Sequence, residues 1–221
     1  MSNIITIEAS GHECDVKLQT WLKDILPQTP GAVRKVVSRE LVLAAREFFE
    51  KSYAWRTVIG PNQMKANKKR YSLSPWDAYT DIVGVMGVEF QGTQLSPLSR
   101  KPGDTTTSSN RAMGYWLEQP DTVVLYPIPT ETVANALTFY VALTPKVTVT
   151  HLPRIAQTHF YEALRDGVLS RLFSHPSKPY SNPLLADYHG KRFRNAIAYY
   201  AGQAKKGFAG AGSWSFPSFG K

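Results

Sequence analysis

At 221 residues with 43% hydrophobic content, the chain is long enough to bury about 70% of its unfolded surface without a disulfide or metal staple. A charged fraction of 19% is too sparse for a disordered chain, and the single cysteine, Cys14, excludes an intrachain disulfide or a cysteine-based zinc site and suits a reducing cytoplasm. The formal charge of +9 points to a polyanionic neighbour or to solubility maintained by charge. No basic stretch followed by a long apolar core opens the chain, and no apolar run reaches about 20 residues, so neither secretion nor membrane spanning is expected.

Val16, Leu18, Trp21, Leu22, Ile25 and Leu26 recur at helical spacing, with Asp15 available as cap and Pro27 closing the run. After the turn Pro27–Gly31, the positions Val33, Val36, Val37, Leu41, Ala44, Ala45, Phe48 and Ser52 predict a longer helix whose other face carries Arg34, Lys35, Arg39 and Lys51. From Trp55 to Pro145 the period becomes two. Leu137, Phe139, Val141 and Leu143 alternate with Thr138, Tyr140, Ala142 and Thr144, and further strands are predicted at Tyr71–Leu73, Ile82–Val88, Tyr115–Glu118 and Val123–Tyr126. Between Phe90 and Tyr115 a Gln-, Ser-, Thr-, Gly- and Pro-rich stretch, the loop at 91–113, has little means of burying itself in a monomer, so its cations Arg100, Lys101 and Arg111 are candidate contacts or belong to a mobile loop.

Helical period returns after Pro153 as one stripe from Leu152 to Leu172, ending near His175-Pro176. Asn182-Pro183 then starts a final helix through Leu184, Leu185, Tyr188, Phe193, Ile197 and Tyr200. Residues 207–221 mix Gly, Ala and Ser with Phe208, Trp214, Phe216 and Phe219, which predicts an extended arm rather than a helix. The expected fold class is α+β: a helical bundle with an inserted antiparallel β-domain and an extended C-terminal tail. The expected boundaries are 1–54 for the N-terminal segment and helices, 55–150 for the β-domain, 151–206 for the C-terminal helices and 207–221 for the arm.

Catalytic constellations are not found. His12, Glu13, Cys14 and Asp15 are consecutive and cannot converge on one point from a helix or a strand. His151, His159, His175 and His189 lack the spacing that puts two metal ligands on one helical face. Asp77 and Asp81 could share a helical face, yet they sit just before a strand, where turn and cap roles are commoner. No phosphate loop appears. The expectation is therefore no cofactor, no metal and no reaction. On the C-terminal helices Arg165, Arg171, Lys178, Lys191, Arg192, Arg194, Lys205 and Lys206 face only Glu162, Asp166 and Asp187. Lys191, Arg192 and Arg194 could track DNA phosphates without reading bases, or simply form a solvated face.

These features, in their order, resemble the head-to-tail adaptor proteins of short-tailed bacteriophages. The landmarks are the helix ending Ala44–Arg56, Tyr71-Ser72-Leu73-Ser74-Pro75, Val124–Pro129, Val141–Lys146, the Leu152-Pro153 helix start, and Leu169–Phe173 before Pro176 and Pro179. The likeness runs from about Thr29 to Tyr200, leaving the first helix, the Gln91–Arg111 loop and the aromatic tail outside it. It implies a virion protein made in the host cytoplasm, assembled as a dodecameric ring beneath the portal and above the tail nozzle or hub, with tail fibres as further partners and packaged double-stranded DNA in the channel. Outside the likeness, Phe208, Trp214, Phe216 and Phe219 have no evident core of their own to enter and are candidate anchors of an arm docked on the portal, the alternative being a tail folded over its own helices or a neighbouring subunit. A free nucleic-acid-binding protein and a hydrolase centred on His12 or Asp77 are the rival readings, and neither a recognition module nor a convergent ligand set supports them.

Overall fold

The computed structural model describes residues 16–75, 77–100 and 108–206. The chain enters as a two-residue strand β1 (Val16–Lys17), paired antiparallel with His151–Leu152, before helix α1 (Gln19–Ile25) begins. The expected helix therefore starts later, and apolar Leu18 holds its cap position with no side-chain hydrogen bond. Val16 and Leu18 also fit a two-residue period, and in so short a run the tertiary partner decides. Asp15, the expected cap, lies outside the described residues. A 3-10 turn at Leu26–Gln28 contains Pro27.

Helix α2 (Arg34–Ser52) buries Val37, Leu41, Ala44, Ala45, Phe48 and Ser52 of the predicted stripe and adds Val42 and Phe49, while Val36 is partly buried and Val33 at its cap stays exposed. It ends where Tyr53 takes a left-handed φ of 53° and its N–H reaches the Phe49 carbonyl. Strands β2 (Arg56–Met64), β3 (Arg70–Ser72), β4 (Thr80–Phe90), β5 (Thr93–Gln94), β6 (Ser96–Pro97), β7 (Ser108–Ser109), β8 (Gly114–Gln119), β9 (Thr122–Tyr126), β10 (Ile128–Pro129), β11 (Val133–Pro145) and β12 (His151–Leu152) follow. Helices α3 (Arg154–Thr158), α4 (Tyr161–Phe173) and α5 (Pro183–Lys205) complete the described chain.

Two four-stranded sheets form, in the orders β2-β11-β4-β5 and β3-β9-β8-β6. Antiparallel pairing dominates, compatible with the expected antiparallel domain, and the two-residue strands β6 and β7 add parallel pairs with β8 and β10. Strand β2 was not predicted because Gly60-Pro61 interrupts its pattern. Gly60 sits at φ 126°, where the β2–β11 register shifts, and a Cβ there would lie 2.7 Å from the Leu137 carbonyl oxygen. Leu137, Phe139, Val141 and Leu143 are buried as expected. Ala142 and Thr144 are buried too, since α2 packs against this strand.

The loop after Phe90 is less bare than its composition suggests. Leu95 and Ala112 are buried, and the Leu95 N–H donates to the Val88 carbonyl. Residues 101–107 lie outside the described residues. The single stripe expected after Pro153 is broken at His159-Phe160, because Phe160 leaves helical geometry and turns its ring into the core, 4.9 Å from Phe48 and 4.8 Å from Tyr200 between ring centroids. Asn182 caps α5 as predicted, accepting from the Leu185 N–H at 3.2 Å.

Helices α2, α4 and α5 pack on one another. The α4–α5 crossing is tight: a Cβ on Gly167 would lie 2.8 Å from the Phe193 ring, and one on Gly190 would lie 2.9 Å from Ser170 Oγ. One hydrophobic cluster runs from α1 through the helices into both sheets. Arg46 fastens the two parts, donating to the Pro145 carbonyl at 2.9 Å and pairing with Glu50 and Asp81.

Candidate interaction surfaces

The three α5 cations singled out by sequence occupy three different environments. Lys191 pairs with Asp187 at 2.7 Å, one helical turn back, and both are more than half exposed. Arg192 reaches across to α4, where its Nε donates to Asp166 Oδ2 at 2.7 Å and its Nη1 to the Tyr188 hydroxyl at 3.3 Å. Asp166 is the buried charge of the helical part, with His189 Nδ1 on its other oxygen at 2.8 Å. The Asp166 hydrogen bond, followed by that of Tyr188, raises the Arg192 pKa above its ordinary value. Arg194 is exposed and has no acidic side chain against it among the described residues.

The remaining candidates fall apart in space or outside the described chain. Asp77 Oδ1 accepts from the Tyr79 N–H at 2.8 Å and the Thr80 hydroxyl at 2.9 Å, a turn role, while Asp81 on β4 accepts from Arg46 at 3.3 Å. Arg100 and Arg111 are exposed on the loop. His12, Glu13, Cys14, Asp15, Lys101, Phe208, Trp214, Phe216 and Phe219 lie outside the described residues. Among the described residues no group of three His, Cys, Asp or Glu side chains could hold a metal, and no helix is long and apolar enough to cross a membrane.

Two apolar surfaces stay open to solvent although the core is complete. On α5, Leu184, Tyr188 and Tyr199 are 84%, 53% and 61% exposed, at spacings that put them on one helical face. On the sheet, Val58, Met86 and Tyr140 are 45%, 40% and 38% exposed, and they line a concavity of about 650 Å³.

A third surface escaped the sequence reading. The first turns of α2 supply Arg34, Lys35 and Arg39, β1 supplies Lys17, and the 147–151 connection closes the far wall of a groove of about 550 Å³. Leu18, Leu22, Val42 and Val149 form a buried apolar floor. No acidic residue lines it. The cations on α2 were legible as its polar face, but nothing in the sequence placed Lys17 and the 147–151 connection beside them.

The class of protein is given by the family comparison: a structural head-to-tail adaptor of a bacteriophage, a virion component that interacts with portal and tail components. The chain belongs to the SU10 adaptor protein family, whose match spans residues 15–213. That span takes in α1, the 91–111 loop and the first residues of the aromatic tail, all of which the sequence likeness had left outside. No curated protein matches the chain.

Proposed function

We propose that the protein assembles as a ring beneath the portal of a short-tailed phage, joins capsid to tail nozzle or hub, and lines the channel through which DNA is ejected. The observation that carries the ring is the pair of unlike apolar surfaces, Leu184-Tyr188-Tyr199 on α5 and Val58-Met86-Tyr140 on the sheet, exposed on a chain that already has its own core. A closed ring of identical subunits needs two different, complementary patches per copy, and exposed apolar patches mark such contacts. The dodecameric count follows from the family likeness. Sedimentation and native mass of the protein, alone and with portal, test the ring. Leu184→Asp with Tyr199→Asp should leave a folded monomer that no longer assembles, and unchanged assembly of that variant would refute the α5 contact.

Packaged DNA passes such a ring with non-specific phosphate contacts from Lys191, Arg192 and Arg194, and of these Arg194 contributes most because its charge is not already engaged. Arg100, Lys101 and Arg111 supply loop contacts to neighbours. The arm 207–221 docks on the portal through Phe208, Trp214, Phe216 and Phe219, since large aromatics are typical interface anchors. Deleting 207–221 should abolish portal binding while the thermal transition stays cooperative, and a truncated protein that binds portal with unchanged affinity would sink the docking arm.

A further inference from the structure

The groove between α1, the start of α2 and the 147–151 connection is both strongly basic and apolar-floored. Lys17, Arg34, Lys35 and Arg39 are exposed, line it together with no acid, and make no side-chain contact to an acidic group among the described residues. This sets them apart from Arg46, Lys51, Arg70, Arg165, Arg171, Lys191 and Arg192, each of which is ion-paired. A cationic rim over a floor of Leu22, Val42 and Val149 suits an extended peptide with carboxylates and aliphatic side chains. A DNA duplex offers phosphates but nothing apolar to seat on that floor.

The chain contains such a peptide immediately before the groove-lining Lys17 in sequence. Residues 1–15 carry Glu8, Glu13 and Asp15, no Lys or Arg, and the aliphatic residues Ile4, Ile5 and Ile7. They join the described structure at Val16, one residue before the groove-lining Lys17. At about 3.3 Å per extended residue, the residues between Ile7 and Val16 span roughly 30 Å, more than enough to lay the isoleucines on the groove floor. We propose that this groove is the seat of the chain's own residues 1–15, with carboxylates against the cationic rim and the isoleucines on the floor. The segment thereby neutralises a basic groove that has no acid of its own among the described residues.

The test uses the full chain. In a Cys14→Ser background, Ser38→Cys in the groove is combined in turn with Ile5→Cys, Ile7→Cys or Glu8→Cys, and each variant is oxidised mildly at low protein concentration. A disulfide needs Cα atoms within about 7 Å, so at least one pair should close within a single chain, seen as monomer mass and a linked tryptic peptide. Closure should slow at least tenfold with Arg34→Glu plus Arg39→Glu, or in about 1 M salt, where charge attraction is screened. Those two arginines are exposed, and circular dichroism verifies that the reversed variant folds. Three pairs that stay open while their thiols still react with maleimide would overturn the proposal, as would bridges formed only between chains. Closure indifferent to charge reversal would reduce it to mere tethering and also overturn it. Open pairs, together with retention of an unrelated DNA duplex that is lost on charge reversal, would assign the groove to nucleic acid instead.

Discussion

Helix α5 and the first turns of α2 look alike as sequences, each a run of Lys and Arg on a helical face, and they are electrostatic opposites in the fold. On α4 and α5 every acid has a cation: Glu162 holds Arg165, Asp166 holds Arg192, and Asp187 holds Lys191. On α2 the acids face elsewhere. Glu47 binds Lys51 and Arg171, Glu50 binds Arg46, and Glu40 lies 3.6 Å from Arg171, so Arg34, Lys35 and Arg39 are left bare beside Lys17. Counting cations along the chain therefore pointed to the better-compensated helix. What exposes charge to a polyanion is the absence of an acid across the packing interface, and that is a property of the tertiary structure.

The contrast should be most visible where a cation serves the core. Arg192→Ala leaves the Asp166 carboxylate buried with His189 alone, and we expect a loss of about 2–3 kcal/mol, the usual cost of stripping a charged hydrogen-bond partner from a buried group. For a chain of this size that lowers the melting temperature by about 5–10 °C. Lys191→Ala, one residue away, removes only an exposed pair and should change stability by less than about 0.5 kcal/mol. Equal effects in calorimetry would erase the distinction drawn between the two cations.

The compensation depends on how closely α4 and α5 approach, and a methyl group tests that. Gly167→Ala places a Cβ 2.8 Å from Cε2 of the buried Phe193 ring, so the helices must part or the ring must move. Overpacking of this kind costs about 1–3 kcal/mol, offset in part by the roughly 1 kcal/mol that alanine gains over glycine in a helix. A net loss of up to about 2 kcal/mol in denaturant unfolding is expected, and a stabilising result would show that the crossing is looser than the geometry indicates.

Regular patterns carried much of this fold into view. The α2 stripe, the alternation of Leu137, Phe139, Val141 and Leu143, and the Asn182-Pro183 start of α5 are local signals that packing did not override. The failures share a cause: β1, β2 and the break at Phe160 are decided by partners distant in sequence, His151–Leu152 for β1, β11 for β2, and the rings of Phe48 and Tyr200 for Phe160. The candidate surfaces divide the same way. Lys191, Arg192 and Arg194 were legible as cations on a helix, but the capture of Arg192 by Asp166 and the closing of Lys17 onto Arg34 and Arg39 arise only from the packing of separate elements.

Binding should rank the α5 cations in the reverse order to stability. Each phosphate contact adds about 0.9 to the slope of log affinity against log salt, so Arg194→Ala should reduce the slope for any duplex by about 1 with no change in melting temperature. Lys191→Ala should reduce it by less, because Asp187 already competes for its ammonium group. Fluorescence anisotropy over a salt series with two unrelated duplexes measures both, and a slope that falls most for Lys191→Ala would invert the ranking.

The smallest expected effect concerns the acids that α2 directs away from the groove, and it fixes the sign of a pH dependence. Burial, the largest influence on Glu47, raises its pKa. The hydrogen bonds from Lys51 at 2.5 Å and Arg171 at 2.7 Å, with their charges, outweigh it, and the net result lies below the ordinary value of 4.5. A folded-state pKa below the unfolded one means that the folded chain keeps Glu47 ionised where the unfolded chain would protonate it. Its contribution is therefore complete above about pH 4.5 and disappears as pH falls through the folded value. Glu47→Gln preserves the shape and removes the charge, so the melting temperatures of the two proteins should differ by a constant small amount from pH 7 to pH 5 and converge as the pH falls through the lowered folded-state value. The difference should be no more than a few degrees, because partly exposed ion pairs contribute about 0.2–1 kcal/mol. A gap that widens on acidification would mean that burial governs Glu47 and that Arg171 is not its effective partner. In that case Arg171 would keep only Glu40, 3.6 Å away, and the division between the better-compensated α4–α5 face and a bare α2 start would have to be redrawn.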